Sequence, residues 1–268
     1  MSCRGRRAQL CIEMLQRAAV LWVTAGLLLA SGGCHRAPRA AHVPLRLLPA
    51  DPHAAVTYVA LGDSTVAGVG ATSPERTYVH HLFARLRTVY PRARLVNLGV
   101  SGATAADVVV GQLPAALQQA PTLVTLSLGP NDLLAQREVA AFARDLDTIL
   151  RTLGTATAAV LVVNLLPDLT VTPRFRAHPD AAILGQRIAA FNDALRQNAR
   201  VYGAVVVDLY IPSRVEVPRR PELVAADGYH PSDRGYERWA ELMWKGIAQR
   251  LPVAARADGA PTLRGWRE

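Results

Sequence analysis

The chain is 268 residues long and half of it is hydrophobic, enough to bury one substantial core and short for two large ones. Its net charge of +9 raises the question of a nucleic-acid or membrane-surface partner, yet residues 1–50 hold seven arginines against the single acid Glu13. Most of the excess therefore belongs to the leader, the rest of the chain carries an ordinary mixed-charge surface, and no nucleic-acid partner is expected.

Residues 18–30, AAVLWVTAGLLLA, are an apolar run behind a basic stretch, too short and wrongly flanked for a membrane span. SGGCHR follows, and together they resemble a bacterial lipoprotein signal in which Cys34 is lipidated and becomes the mature N-terminus. Ser31 stands where such signals usually carry Leu, so ordinary signal-peptide cleavage and a retained anchor stay open beside lipidation. The expected destination is the cell envelope, with Cys34 as a membrane tether. Cys3 and Cys11 would leave with the leader, and the remaining cysteine could form no internal disulfide. GRRAQL, residues 5–10, faintly resembles a twin-arginine signal, and Met14 is an alternative start. Residues 1–34 are thus expected to be a leader and 35–54, rich in Pro, Ala and Arg, a flexible linker. The domain is expected over 55–252, with a loose tail over 253–268.

Five short apolar runs, many of their residues β-branched, read as strands: 58–61, 95–98, 123–127, 159–164 and 204–209. Between them, 75–90 places Tyr78, Leu82, Phe83 and Leu86 on one stripe, and 139–153 does the same with Phe142, Leu146, Ile149 and Leu150. Residues 181–202 and 233–251 supply two more helices, the last with Ser232 as cap. Strands alternating with helices predict a parallel five-stranded sheet inside a three-layer α/β/α sandwich, flavodoxin-like in class. Ligands are then expected outside the carboxyl ends of the strands.

Most of the polar clusters sit after those ends. The first strand delivers Gly62, Asp63 and Ser64, the second NLGVSGAT with Gly102, and the third SLGPNDL with Asn131 and Asp132. AADGYHPSD, with Asp227 and His230, precedes the last helix. A serine hydroxyl becomes a useful nucleophile when a base takes its proton, a third group fixes the base's tautomer, and preorganised donors receive the oxyanion. Ser64 can attack, His230 can serve as base and then acid, and Asp227 can orient the imidazole. The backbone N–H groups of Ser64 and Gly102 and the Asn131 amide are candidate oxyanion donors. Asp227 and His230 stand three apart in a Pro-terminated turn, so their pairing needs no long-range contact.

The four blocks ALGDSTVAG, NLGVSGAT, LGPNDL and DGYHPSDRGY, in this order, resemble the SGNH (GDSL-type) hydrolases, a family of esterases, lipases and thioesterases. The resemblance covers most of residues 56–250. It implies Ser64 as nucleophile and first oxyanion donor, Gly102 and Asn131 as the second and third donors, His230 as base and Asp227 as its partner. The family name has Leu after the serine where this chain has Thr65.

Each residue also has a plainer reading. Asp63 and Asp132 fit loop-bracing roles. Ser101, the rival nucleophile, sits in GVSGA, which misses the G-x-S-x-G spacing. His80, His81 and His178 read as surface or partly packed residues, and the tryptophans as packing. No metal is expected, since neither H-E-x-x-H nor paired C-x-x-C occurs, no dinucleotide turn is spelled, and the chemistry needs no cofactor. Two long connections, 165–180 and 210–227, read as binding loops. Leu133, Leu165, Leu166, Phe175, Ile211 and Leu223 are candidate acyl contacts, and Arg174, Arg176, Arg219 and Arg220 candidate anion contacts. The expected substrate is a small-molecule or lipid carboxylic ester, with a carbohydrate O-deacetylase and a non-catalytic binding scaffold as the alternatives.

Overall fold

The computed structural model describes residues 45–253; the leader, Cys34 and the tail beyond residue 253 lie outside them. Five strands form one parallel sheet: β1 Thr57–Gly62, β2 Arg94–Asn97, β3 Leu123–Ser127, β4 Val160–Asn164 and β5 Val205–Val207. Their order is β2-β1-β3-β4-β5, the doubly wound arrangement in which the chain reverses direction across the sheet between β1 and β3. β1, β3 and β4 are buried along their whole length, which is why they read as unbroken apolar runs rather than as alternating ones.

Alternation reappears in what each residue touches. From β1, Val59 and Leu61 join one core and Tyr58 and Ala60 the other, as the two-residue period of a strand requires. Numbered in chain order, the helices are α1 Ser64–Ala67, α2 Tyr78–Val89, α3 Ala105–Asp107, α4 Leu113–Gln118, α5 Pro130–Leu134, α6 Val139–Ala156, α7 Ala181–Val201, α8 Tyr210–Glu216 and α9 Asp233–Ala248. The first core is closed by α6 and α7, where Phe142 stacks on Phe191 at 4.5 Å. The second is closed by α2 and α9 through Tyr78, Tyr236 and Trp239. The three-layer sandwich is the predicted one.

Three expectations need adjustment. The helix predicted from residue 75 begins at Tyr78, because Thr77 caps it by accepting from the His80 N–H and a 3-10 turn, Pro74–Arg76, precedes it. β5 stops at Val207, because the Asp208 carboxylate accepts from the Tyr210 and Ile211 N–H groups and starts α8 inside the stretch read as a loop. The linker range also reaches too far. Leu48 is buried and donates its N–H to Arg250 O at 2.8 Å, Arg46 bonds Ala159 O and Gly154 O, and Tyr90 Oη donates to Pro49 O. This segment is docked on the domain because it carries an apolar side chain and a cation that cap the bottom of the sheet.

Candidate active site

β1 ends at Gly62 with φ +146°, and a Cβ there would sit 1.8 Å from Ser127 O, so this close approach to β3 requires glycine. The Gln112 side chain holds the same residue on both sides, its Oε1 accepting from Gly62 N and its Nε2 donating to Gly62 O, each at 2.8 Å. Asp63 then caps α1, its Oδ1 accepting from the Thr65 N–H and the Thr65 hydroxyl at 2.9 Å. Ser64 is thereby the first residue of a short helix at the carboxyl end of β1. Asp63 braces this corner, but its Oδ2 is buried without a hydrogen-bond partner among the described residues. Burial pushes its carboxyl up to about 6, against the lowering effect of the Thr65 bonds.

From the far end of the chain, the turn before α9 brings the base. Asp227 Oδ1 accepts from the Tyr229 and His230 N–H groups at 2.9 and 3.0 Å, and Gly228 turns the chain at φ +71°. The turn is pinned as a small hairpin by Ala225 N donating to His230 O. In this position His230 Nδ1 is 2.5 Å from Asp227 Oδ2, and His230 Nε2 is 2.9 Å from Ser64 Oγ. A proton on Nδ1, donated to the carboxylate, leaves Nε2 free to accept from the serine hydroxyl. Partial burial acts to raise the Asp227 carboxyl, but the bonds from the His230 ring and the two N–H groups outweigh it and hold the carboxyl below its usual range.

The oxyanion candidates are organised around Ala103. Val100 N donates to Gly62 O, and Asn131 Nδ2 donates to Ala103 O at 2.9 Å, which ties the Gly102 loop (φ +85°) to both β1 and α5. One Asn131 amide hydrogen is engaged in that brace and the second is not. Neither Ser64 N–H nor Gly102 N–H has a protein acceptor among the described residues. Asp132 is a brace, as expected: it accepts from Ala105 N at 2.9 Å and pairs with Arg137 at 2.5 Å. Asn97 does the same work between Val66 O and Gly99 N. Ser101 is exposed, and no hydrogen bond joins its hydroxyl to a histidine.

Beside His230 lies a largely apolar cavity of about 100 Å³. Its lining includes Thr65, Pro130 and His230, Leu169, Leu223 and Trp239, and Val217 and Leu242 from α8 and α9 and their ends. Of the expected acyl contacts, Leu223 lines it, whereas Leu133, Leu165 and Leu166 are core residues at 1–2% exposure. Ile211 is exposed, and Phe175 meets the Tyr229 ring edge-on. Arg174 lies over Tyr229 and Phe175, and Arg220 pairs with Glu216 and Glu222. Gln112 went unnoticed in the sequence, as did the α8 wall of the cavity; an Asp at 208 two residues before a Tyr was the available signal for α8. Among the described residues no cluster of three or more His, Cys, Asp or Glu could hold a metal, and no helix is long and apolar enough to cross a membrane.

A parallel doubly wound sheet thus carries a hydrogen-bonded serine, histidine and aspartate at its carboxyl edge. The GDSL-like lipase/acylhydrolase family model matches residues 60–238, and the chain belongs to that family of ester hydrolases. It is 30% identical over 196 residues to the esterase TesA of Pseudomonas aeruginosa, covering 71% of this chain and 87% of that protein. A solved structure of TesA superposes with TM-score 0.58 at 25% identity, over 71% of this chain and 97% of the other. Axe2, an acetylxylan esterase from Geobacillus stearothermophilus, shares the fold, with TM-score 0.59 at 20% identity over 72% and 94%.

Proposed function

We propose that the enzyme cleaves carboxylic esters through an acyl-enzyme formed on Ser64, with His230 as base and acid and Asp227 as its orienting partner. The observation that carries this is the continuous hydrogen-bonded line from Ser64 Oγ through both ring nitrogens of His230 to Asp227. His230 Nε2 takes the hydroxyl proton as Oγ attacks the ester carbonyl, and the imidazolium is stabilised by Asp227. The oxyanion is received by the Ser64 and Gly102 N–H groups and the free Asn131 amide hydrogen. His230 then protonates the leaving alcohol, and a water activated by the same nitrogen releases the acid.

The apolar cavity favours an acyl group longer than acetyl, and so an esterase or lipase-like preference over a carbohydrate O-deacetylase. Export and lipidation at Cys34 belong to the same proposal and rest on the leader sequence alone. The mechanism is tested by hydrolysis of p-nitrophenyl esters from acetate to palmitate. Ser64→Ala should lower kcat by at least about four decades at unchanged melting temperature, and near-normal turnover in that variant would refute the triad. An acetate optimum together with release of acetate from acetylated sugars would support the deacetylase instead. Absence of turnover and of fluorophosphonate labelling in the folded protein would leave the binding scaffold.

A further inference from the structure

We infer that the ion pair between Glu216 and Arg238 is the end-stop of the acyl cavity and limits the length of acyl group the enzyme accepts. The inference rests on the ester-hydrolase reading above. Toward the candidate nucleophile the cavity is lined by His230 and by the immediate neighbours of Ser64 and Asn131, namely Thr65 and Pro130. A separate charged cleft of about 690 Å³, lined mainly by Arg and acidic side chains, adjoins it. Only Glu216 and Arg238 line both.

The pair is built to close that boundary. Arg238 Nε lies 2.9 Å from Glu216 Oε2 and Nη2 lies 2.7 Å from Oε1, a two-pronged match of planar groups. Arg238 Nη1 is engaged by Glu241 at 2.7 Å, and Glu216 also faces Arg220 at 3.6 Å. Glu216 is the last residue of α8 and Arg238 lies within α9, so the pair also ties together the two walls between which the cavity runs. Methylenes entering the cavity gain by leaving water, each by about fourfold in binding. A chain that reaches the pair must instead strip or displace hydrogen-bonded charges, which offsets that gain. The result is a length cut-off set by two side chains remote from the reacting bond.

The experiment is the chain-length profile of Glu216→Ala and Arg238→Ala on p-nitrophenyl butyrate to palmitate, read as the ratio of kcat/KM for dodecanoate to that for butyrate. Both variants should raise the ratio by about tenfold or more, chiefly through KM, and the reversed pair Glu216→Arg with Arg238→Glu should bring it back to within about threefold of the parent. A ratio within about twofold of the parent in both single variants would overturn the inference. Should either alanine variant fail to fold, Glu216→Gln and Arg238→Gln keep the bulk while breaking the charge pairing. They are then expected to raise the ratio about threefold, and no change in them overturns the inference equally. Leu242→Trp, which fills the cavity, separates the levels of the argument. If it spares long esters while turnover still depends on Ser64, the end-stop is refuted and the triad stands. If no ester is turned over in a Ser64-dependent way, the parent reading fails.

Discussion

Asp63 sits beside the candidate nucleophile as a buried acid with one oxygen bonded and the other unmatched. Its folded-state pKa of about 6 lies above the ordinary value of 3.8, so between pH 4 and 6 the folded chain holds this proton more tightly than the unfolded chain does. Stability contributed by the group is therefore present in acid and lost as pH rises through 6, at a cost of up to about 3 kcal/mol. Asp63→Asn keeps an acceptor for the Thr65 N–H and removes the charge. Relative to the parent, the variant should gain about 1–3 kcal/mol on going from pH 4 to pH 7, measured by urea unfolding at both values; a pH-independent difference would show that folding does not raise the pKa of this acid. Asn131→Ala should reduce kcat by about two to three decades, the scale of one oxyanion donor, which steady-state kinetics on the preferred ester will check. At this scale the sequence was informative where partners are close along the chain, as with Asp227 and His230. Gln112 could not be recognised, because its contact with Gly62 spans fifty residues and depends on a π turn, Val108–Gln112, that swings its side chain inward.

The elements were legible in proportion to how far hydrophobic period alone decides them. The fully buried strands and the long amphipathic helices α6, α7 and α9 were recognisable, since burial of a face or of a whole strand leaves a period in the sequence. α3 and α4 were not, because the intervening Val108, Val109 and Val110 are β-branched and Gly111 and Pro114 disfavour a helix interior. Tertiary packing against α6 and the β1 end overrides that local preference. The β1 to α1 junction is the least tolerant point of the frame. Gly62→Ala would drive a Cβ into Ser127 O and force a left-handed φ on a substituted residue. It should destabilise by more than about 3 kcal/mol, visible as a collapse of the urea midpoint or as insoluble protein, whereas Gly111→Ala, with open space at its Cβ, should be close to neutral or stabilising.

Across the whole molecule, the docked segment 46–49 joins the last turn of the domain through Leu48 and Arg250 and covers the amino-terminal edge of the sheet through Arg46. Leu48→Ala should cost about 2–4 kcal/mol, read by thermal or urea unfolding of the full chain; a loss below about 0.5 kcal/mol would show that the segment is not part of the cooperative unit. Composition bounded the molecule to one core, and the alternation of elements gave its class, but a stretch so rich in Pro, Ala and Arg carried no period by which its docking could be read. Ser64, Gly102 and Asn131 all follow the carboxyl ends of strands, so segment 46–49 docks at one pole of the sheet and the candidate site opens at the other.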